Sequence, residues 1–139
     1  MLSTFRESLE HFKQIWRESS LEELKQVMSM DYQAREVRGD EIVDFGYDQS
    51  IMGWEQGFDY VGGTENVEWD IKEVGVLPLK EEECMAILSA TIRQDGTSLE
   101  TANLFFHTFQ QNEEGDWKLV RSYIEAGITK ENIHSLQVT

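Results

Sequence analysis

The sequence predicts an α+β domain, with helices packed on one face of an antiparallel sheet. One change of period along the chain, and the order it produces, predict it. Apolar residues recur at helical spacing through the first part, and from Asn66 onward they recur at a spacing of two. Helices first and strands later is the order that segregates helices to one face of an antiparallel sheet. A third observation sets the scale. The chain has 139 residues, one proline, no Gly/Ser-rich run and no internal repeat, which fits a single domain over 1–139.

The first helix is expected over residues 4–17. Thr4 and Glu7 have the spacing of a capping box, and Phe5, Leu9, Phe12 and Trp16 then share one helical face. Such a stripe reads first as core packing. A second helix is expected after Ser20, capped with Glu23, with Leu21, Leu24, Val27 and Met28 on its buried side. Residues 33–38 and 41–45 flank Gly39-Asp40, a tight-turn pair, and read as a short hairpin. The third helix is expected over 49–60, capped by Asp48 or Ser50, with Ile51, Trp54, Phe58 and Val61 as its stripe. Gly62-Gly63 is expected to end it in the left-handed conformation. Gly53 and Gly57 cost helix propensity, about 1 kcal/mol each against Ala. Close packing against a neighbouring element is the expected compensation.

Four meander strands complete the pattern. Val67, Trp69 and Ile71 alternate, then slip near residues 72–74, which suggests a bulge. The strand from Cys84 to Arg93 is apolar on both faces and reads as central in the sheet. Asp95-Gly96 is a strong hairpin signal. Strands over 101–111 and 117–126 follow, joined by a turn over 112–116.

Composition excludes several function classes. Lys+Arg is 12 and Asp+Glu is 27, giving a formal charge of −15. That is the wrong sign for a nucleic-acid footprint or a polybasic membrane anchor. Hydrophobic residues make up 40% of the chain, enough for a core and too much for a charge-driven disordered segment. Cys84 is the single cysteine, so no intrachain disulfide forms, and a reducing compartment is expected. The start of the chain lacks the basic and apolar regions of a signal peptide, and no run approaches the roughly 18 apolar residues of a membrane helix. A soluble cytoplasmic protein is expected. His11, His107 and His134 show no metal-ligand spacing, so neither a metal nor another cofactor is expected.

The element order, together with GDWKLVRSYIEAG (115–127), resembles the nuclear-transport-factor-2-like superfamily. Members include SnoaL-like polyketide cyclases, ketosteroid isomerases and the association domain of calcium/calmodulin-dependent kinase. Their last strand commonly reads Gly-x-Trp-(basic)-(aliphatic)-Val-His-x-His-x-Ser. Gly115, Trp117, Lys118, Leu119 and Val120 match it, whereas Arg121, Tyr123 and Glu125 stand where the two histidines and the serine would be. VRGDEI (37–42) and GWEQGF (53–58) resemble the family's hairpin and third helix. The likeness covers about residues 3–127 and leaves 128–139 as a short C-terminal extension, in which Thr129 is expected to cap a turn containing Ile133 and Leu136. The resemblance implies a strongly curved sheet wrapped around about three helices, a cone with a pocket at its wide end, and a homodimer formed through the sheet. Function within the superfamily is diverse, so the site must carry the functional argument.

The site expected from the residues lies on the last two strands. Asn103, Phe105 and His107 share a face that mixes polar groups with aromatics, as enclosed small-molecule pockets do. Trp117, Leu119, Arg121, Tyr123 and Glu125 are expected to share a face of the last strand. Side by side, these faces would bring Asn103, His107, Arg121 and Tyr123 together, with Tyr47, Trp54 and Trp69 closing the mouth. His107 is either a buried, hydrogen-bonded histidine or a pocket acid/base. Arg121 either binds a ligand carboxylate or pairs with Glu125. Tyr123 is a hydroxyl donor or a pocket edge, and with His107 it is the candidate for any catalysis. No carboxylate base can be placed. Glu81–Glu83 and Glu113–Asp116 read as solvated turns, and Cys84 as inert core. The expected function is binding of a small, preferably anionic, organic molecule. The alternatives are an isomerase-type enzyme moving a proton on a hydrophobic ketone, and a dimeric assembly module.

Overall fold

The computed structural model describes residues 2–137. Its elements run α1 Leu2–Arg17, α2 Leu21–Val27, β1 Met28–Arg38, β2 Glu41–Gly46, α3 Tyr47–Gly62, β3 Val67–Lys80, β4 Glu83–Gln94, β5 Thr97–Ser98, β6 Thr101–Gln111, β7 Trp117–Thr129 and α4 Lys130–His134. The strands form one curved, unclosed sheet in the order β2-β1-β7-β6-β4-β3, with β5 attached to β4. The sheet is mixed. β1 runs parallel to β7, because the chain returns to β1 only after the whole meander, while the other pairs are antiparallel. Among the described residues, no helix is long and apolar enough to cross a membrane.

The aromatic stripe of α1 fills the hollow of the sheet. Phe5, Leu9, Phe12 and Trp16 are at most 2% exposed. Phe5 meets Phe109 and Trp117 edge-on, and Phe12 meets Phe109 in the same way. One polar contact ties α1 to the sheet. The Arg6 guanidinium donates to both oxygens of Glu73 at 2.6 and 3.0 Å, and Lys13 donates to the same carboxylate at 3.1 Å. Glu73 immediately precedes the irregularity of β3, where Val74 is the extra residue between Glu73↔Leu88 and Gly75↔Ile87. The slip in the sequence alternation therefore marks a real bulge.

Several local expectations change. α1 is helical from Leu2, so Thr4 lies inside the helix and is not its cap. Ser20 occupies the cap position of α2 without a side-chain hydrogen bond, and Met28 belongs to β1. Gly46 precedes α3, which puts Asp48 and Ser50 within the helix, and Gly63 ends it at φ −101°, outside the left-handed region. Thr129 precedes α4 with no side-chain cap bond. The two glycines of α3 separate. A Cβ at Gly57 would sit 3.3 Å from Trp69 Cη2, whereas one at Gly53 would meet nothing within 4 Å. Close approach explains Gly57 alone. The Asp95-Gly96 turn has both residues at positive φ, as a two-residue hairpin turn requires, but its return arm is only the two-residue β5.

β7 carries the irregularity that matters for the site. Phe109 pairs with Leu119 and Thr108 with Arg121, so Val120 is an extra residue. One added residue reverses which face every later side chain occupies. Trp117 and Leu119 point inward, and beyond the bulge the inward set becomes Ser122, Ile124 and Ala126. The expected common face of Trp117, Leu119, Arg121, Tyr123 and Glu125 is thus split. A second shift lies between Ala102↔Ile128 and Leu104↔Glu125, where Gly127 takes φ +71°.

Candidate functional site

A cavity of about 520 Å³ opens between α3, the β1–β2 hairpin and the concave face of the sheet. Its walls are aromatic: Trp16 from α1, Phe45 from β2, Trp54 from α3, Trp69 from β3 and Phe105 from β6. Trp16 stands edge-on to Trp54 and Phe105, with ring centroids 4.8 and 5.1 Å away. Trp54 and Phe105 lie within 24° of parallel at 6.3 Å. Trp69 is held by its indole N–H, which donates to Ser19 Oγ at 3.0 Å. Ser19 sits at φ 54° in the turn between α1 and α2, so a strained residue fixes one wall.

Polar groups also line this cavity, with Gln49 and Gln56 of α3 at its exposed rim. Glu36 and Arg38 project from β1, and Asn103 from β6. Arg38 Nε donates to Glu36 Oε2 at 3.3 Å, and both side chains are partly exposed, at 64% and 31%. Asn103 Oδ1 accepts the backbone N–H of Gly127 at 2.9 Å. Ser50 of α3 and Tyr32 of β1 are buried side chains at the wall. Burial raises the Tyr32 phenol above its ordinary value, although the Ser122 and Ser50 hydroxyls within hydrogen-bonding reach work against that shift.

The structure brings some of the expected site residues together and separates others. Asn103, Phe105, Trp54 and Trp69 line the cavity. Tyr47 is partly buried against the core and is not among the lining residues. His107 lies beneath the floor, 0% exposed, with Nδ1 2.6 Å from Ser122 Oγ and the rings of Phe12, Phe105 and Trp16 around it. Burial alone drives its pKa from 6.5 to about 3, so the imidazole is neutral at ordinary pH.

Arg121 and Tyr123 are turned to the outer face by the Val120 bulge. Arg121 donates to Glu83 Oε1 at 2.7 Å, and Gln110 donates to the other oxygen at 3.0 Å. Glu83 is therefore a buried partner and not a solvated turn residue. Burial pushes its carboxyl up, but the bonds from Arg121 and Gln110 outweigh that and hold it below the usual value. Tyr123 is 40% exposed and donates to Glu125, whose carboxylate keeps the phenol above its ordinary pKa. With Arg121 committed on the far side of the sheet, the preference for an anionic ligand loses its basis.

The strand expected over 33–38 begins at Met28, and its inward face adds Tyr32, Glu36 and Arg38 to the cavity. Tyr32, Ala34, Glu36 and Arg38 then alternate on one face, a polar pair continuing a buried one. Among the described residues, no group of three His, Cys, Asp or Glu could hold a metal ion.

No family model matches the chain, and no curated protein matches its sequence. Solved structures do match its fold. An NTF2-like protein of unknown function from Silicibacter pomeroyi is 15% identical over 88% of this chain and 92% of that one, with a TM-score of 0.62. A cystatin-like-fold protein from Caulobacter vibrioides is 10% identical over 96% and 94%, with a TM-score of 0.69. A ketosteroid isomerase-like protein from Erwinia carotovora atroseptica is 11% identical over 89% and 94%, with a TM-score of 0.60. The fold is therefore NTF2-like, of the cystatin-like class, as the resemblance implied.

The burial of His107 has a measurable consequence. Its folded pKa lies below its unfolded value, so its contribution to stability is complete above about pH 6.5 and is lost as pH falls toward 3. Between about pH 6 and pH 4 it should add a slope of about 1.4 kcal/mol per pH unit. Urea unfolding of the wild type and His107→Gln across that range should show the slope reduced in the variant. Identical slopes would mean that His107 titrates normally.

Proposed function

We propose that this chain is a small-molecule-binding domain whose ligand occupies the aromatic cavity. The observation that carries the reading is the lining itself. Three tryptophans and two phenylalanines enclose one space, and Glu36, Arg38, Gln49, Gln56 and Asn103 stand around it. That is the composition of sites that bury an organic ligand and orient it with a handful of polar contacts. An NTF2-like fold is compatible with this role and does not by itself imply it. The domain is proposed to work as a homodimer through the outer face of the sheet. There Met85, Ile87, Leu104 and Phe106 are only partly buried, and register places Ile87 and Tyr123 on either side of Phe106.

Glu36 favours a second reading, proton transfer on a hydrophobic ketone. That chemistry requires a carboxylate facing the cavity, and Glu36 is a lining carboxylate. Its partner Arg38 sits at the same rim.

The cavity reading is tested with N-phenyl-1-naphthylamine, an uncharged dye that brightens in apolar surroundings. Wild type should give a saturable rise at one site. Gly53→Phe should abolish it, because the new ring enters the cavity from a position with open space around its Cβ. Replacing a helical glycine should at the same time raise stability, by about 0.5 kcal/mol. Unaltered dye binding in this variant would sink the proposal. The dimer is checked by sedimentation velocity, where wild type should run as a dimer and Phe106→Glu as a monomer. A wild type that stays monomeric at high concentration removes it. For proton transfer, deuterium uptake at the α-carbon of 2-tetralone should exceed the buffer rate about a hundredfold. It should collapse in Glu36→Gln, and equal rates in the two proteins would dismiss the enzyme.

A further inference from the structure

We infer that Asn103 is the specificity-determining residue of the cavity, and that its ligand is an uncharged planar molecule presenting a hydrogen-bond acceptor to it. The inference rests on the small-molecule reading above. It begins at the second irregularity of β7. Gly127, at φ +71°, leaves the regular ladder there, and its N–H is taken by Asn103 Oδ1 at 2.9 Å. A backbone N–H requires an acceptor, so the orientation of the amide is settled chemically. With its oxygen held on that N–H, Asn103 turns its NH₂ group, two donors, away from Gly127.

A second donor is buried behind the wall of the same space. Trp16 lines the cavity and is 2% exposed, and its indole N–H has no hydrogen-bond partner among the described residues. Trp69, by contrast, gives its N–H to Ser19. Gln49 and Gln56 stand at the exposed rim, and the polar groups deeper in the wall have partners close by. Glu36 accepts from Arg38, and Ser50 and Tyr32 lie within reach of each other. The polar group fixed on the concave wall of the sheet is therefore the Asn103 NH₂, a donor. A buried donor left unpaired by a ligand is penalised, so a ligand with an acceptor at that point is selected over its hydrocarbon analogue.

The remaining features of the ligand follow from charge and shape. Arg38 is balanced by Glu36, Arg121 is bound to Glu83 on the other face, and the chain carries −15 overall. No unpaired cation lines the cavity to hold an anion. Trp54 and Phe105, 24° from parallel, with Trp16 at 83° and 89° to them, present walls suited to a flat ring system.

The test uses displacement of N-phenyl-1-naphthylamine at pH 8 by naphthalene, quinoline and isoquinoline. These have one shape and differ by a ring-nitrogen acceptor. The quantity read is the affinity of the better azine relative to naphthalene. Asn103→Asp keeps an oxygen for Gly127 and the side-chain size but replaces the donor with an acceptor. Asn103→Leu removes both. Each should lower that ratio about tenfold while naphthalene moves far less. A merely structural role for Asn103 would shift all three ligands in parallel, and an unchanged ratio overturns the inference while leaving the cavity reading intact. Failure of the dye and all three ligands to bind overturns both. A measurement on the wild type alone guards against misfolded variants: the Asn103 side-chain amide resonances should shift with an azine and not with naphthalene, and equal shifts with both count against the inference.

Discussion

Trp16 is the ring on which the helical layer and the sheet close. It meets Trp54 of α3, Trp69 of β3 and Phe105 of β6, all in steeply angled contacts. Such pairs add about 0.5–1.5 kcal/mol each beyond the burial of their area. Their geometry also leaves room. Rings that meet edge to face enclose space in a way that flat stacks do not, and the cavity occupies that space. Two backbone features keep the arrangement in place. Gly57 lets Trp69 approach to a distance that a Cβ would obstruct, and Ser19 holds the Trp69 indole from a left-handed turn. Gly57 and Ser19 are 12 and 50 residues from Trp69 in the chain, so the wall is a tertiary product of three separate segments.

The parts of this arrangement that repeat a period were legible in the sequence. Phe5, Leu9, Phe12 and Trp16 face the core because a helix brings them to one side, and the slip after Ile71 marks the β3 bulge because alternation is a strict rule. The site was legible only as far as the alternation holds. Asn103 and Phe105 belong to an uninterrupted stretch of β6 and line the cavity as their spacing implies. Arg121 and Tyr123 follow an added residue, Val120, which no composition rule distinguishes from its neighbours, and a single insertion moved both to the other face. Glu36 lies in the strand expected over 33–38, but Tyr32, the buried residue that sets its inward face, precedes that range. Its strand starts at Met28, directly after α2, with no turn residue to announce it.

Charge is divided between the two faces of the sheet. On the outer face, buried carboxylates are satisfied by fixed partners. Glu83 has Arg121 and Gln110, and Asp70 has Ser98 at 2.5 Å, Arg93 at 3.3 Å and Lys130 at 3.6 Å. For Asp70, burial pushes the carboxyl up, and Ser98 with the nearby cations brings it below its ordinary value. Both groups therefore support the fold above the usual carboxylate pKa and cease to do so as pH falls through their lowered values. Lys130 belongs to α4, so this cluster also secures the C-terminal extension to the sheet. On the inner face Glu73 is held by Arg6 and Lys13 of α1, and in the cavity lining Glu36 is balanced by Arg38. The excess negative charge is thus a property of the outer surface and the turns, and physiological salt screens it over about 8 Å.

The proposed binding and proton-transfer roles differ in what they ask of one rim contact. Arg38 and Glu36 are two residues apart on a strand, both partly exposed, with a single contact of 3.3 Å. Exposed pairs of this kind hold together by no more than about 1 kcal/mol. Glu36 is therefore neutralised on average without being locked, and a ligand entering beside it can displace the guanidinium at little cost. Asn103 differs in kind. Its oxygen is fixed by a backbone N–H at a bulge, and its amide cannot turn over without leaving that N–H unpaired. The cavity thus has a rigid donor on β6 and an adjustable carboxylate at the rim on β1. A fixed donor can orient an acceptor-bearing ligand whether or not a reaction follows, so chemistry in this fold depends on whether the ligand also places an acidic C–H within reach of Glu36.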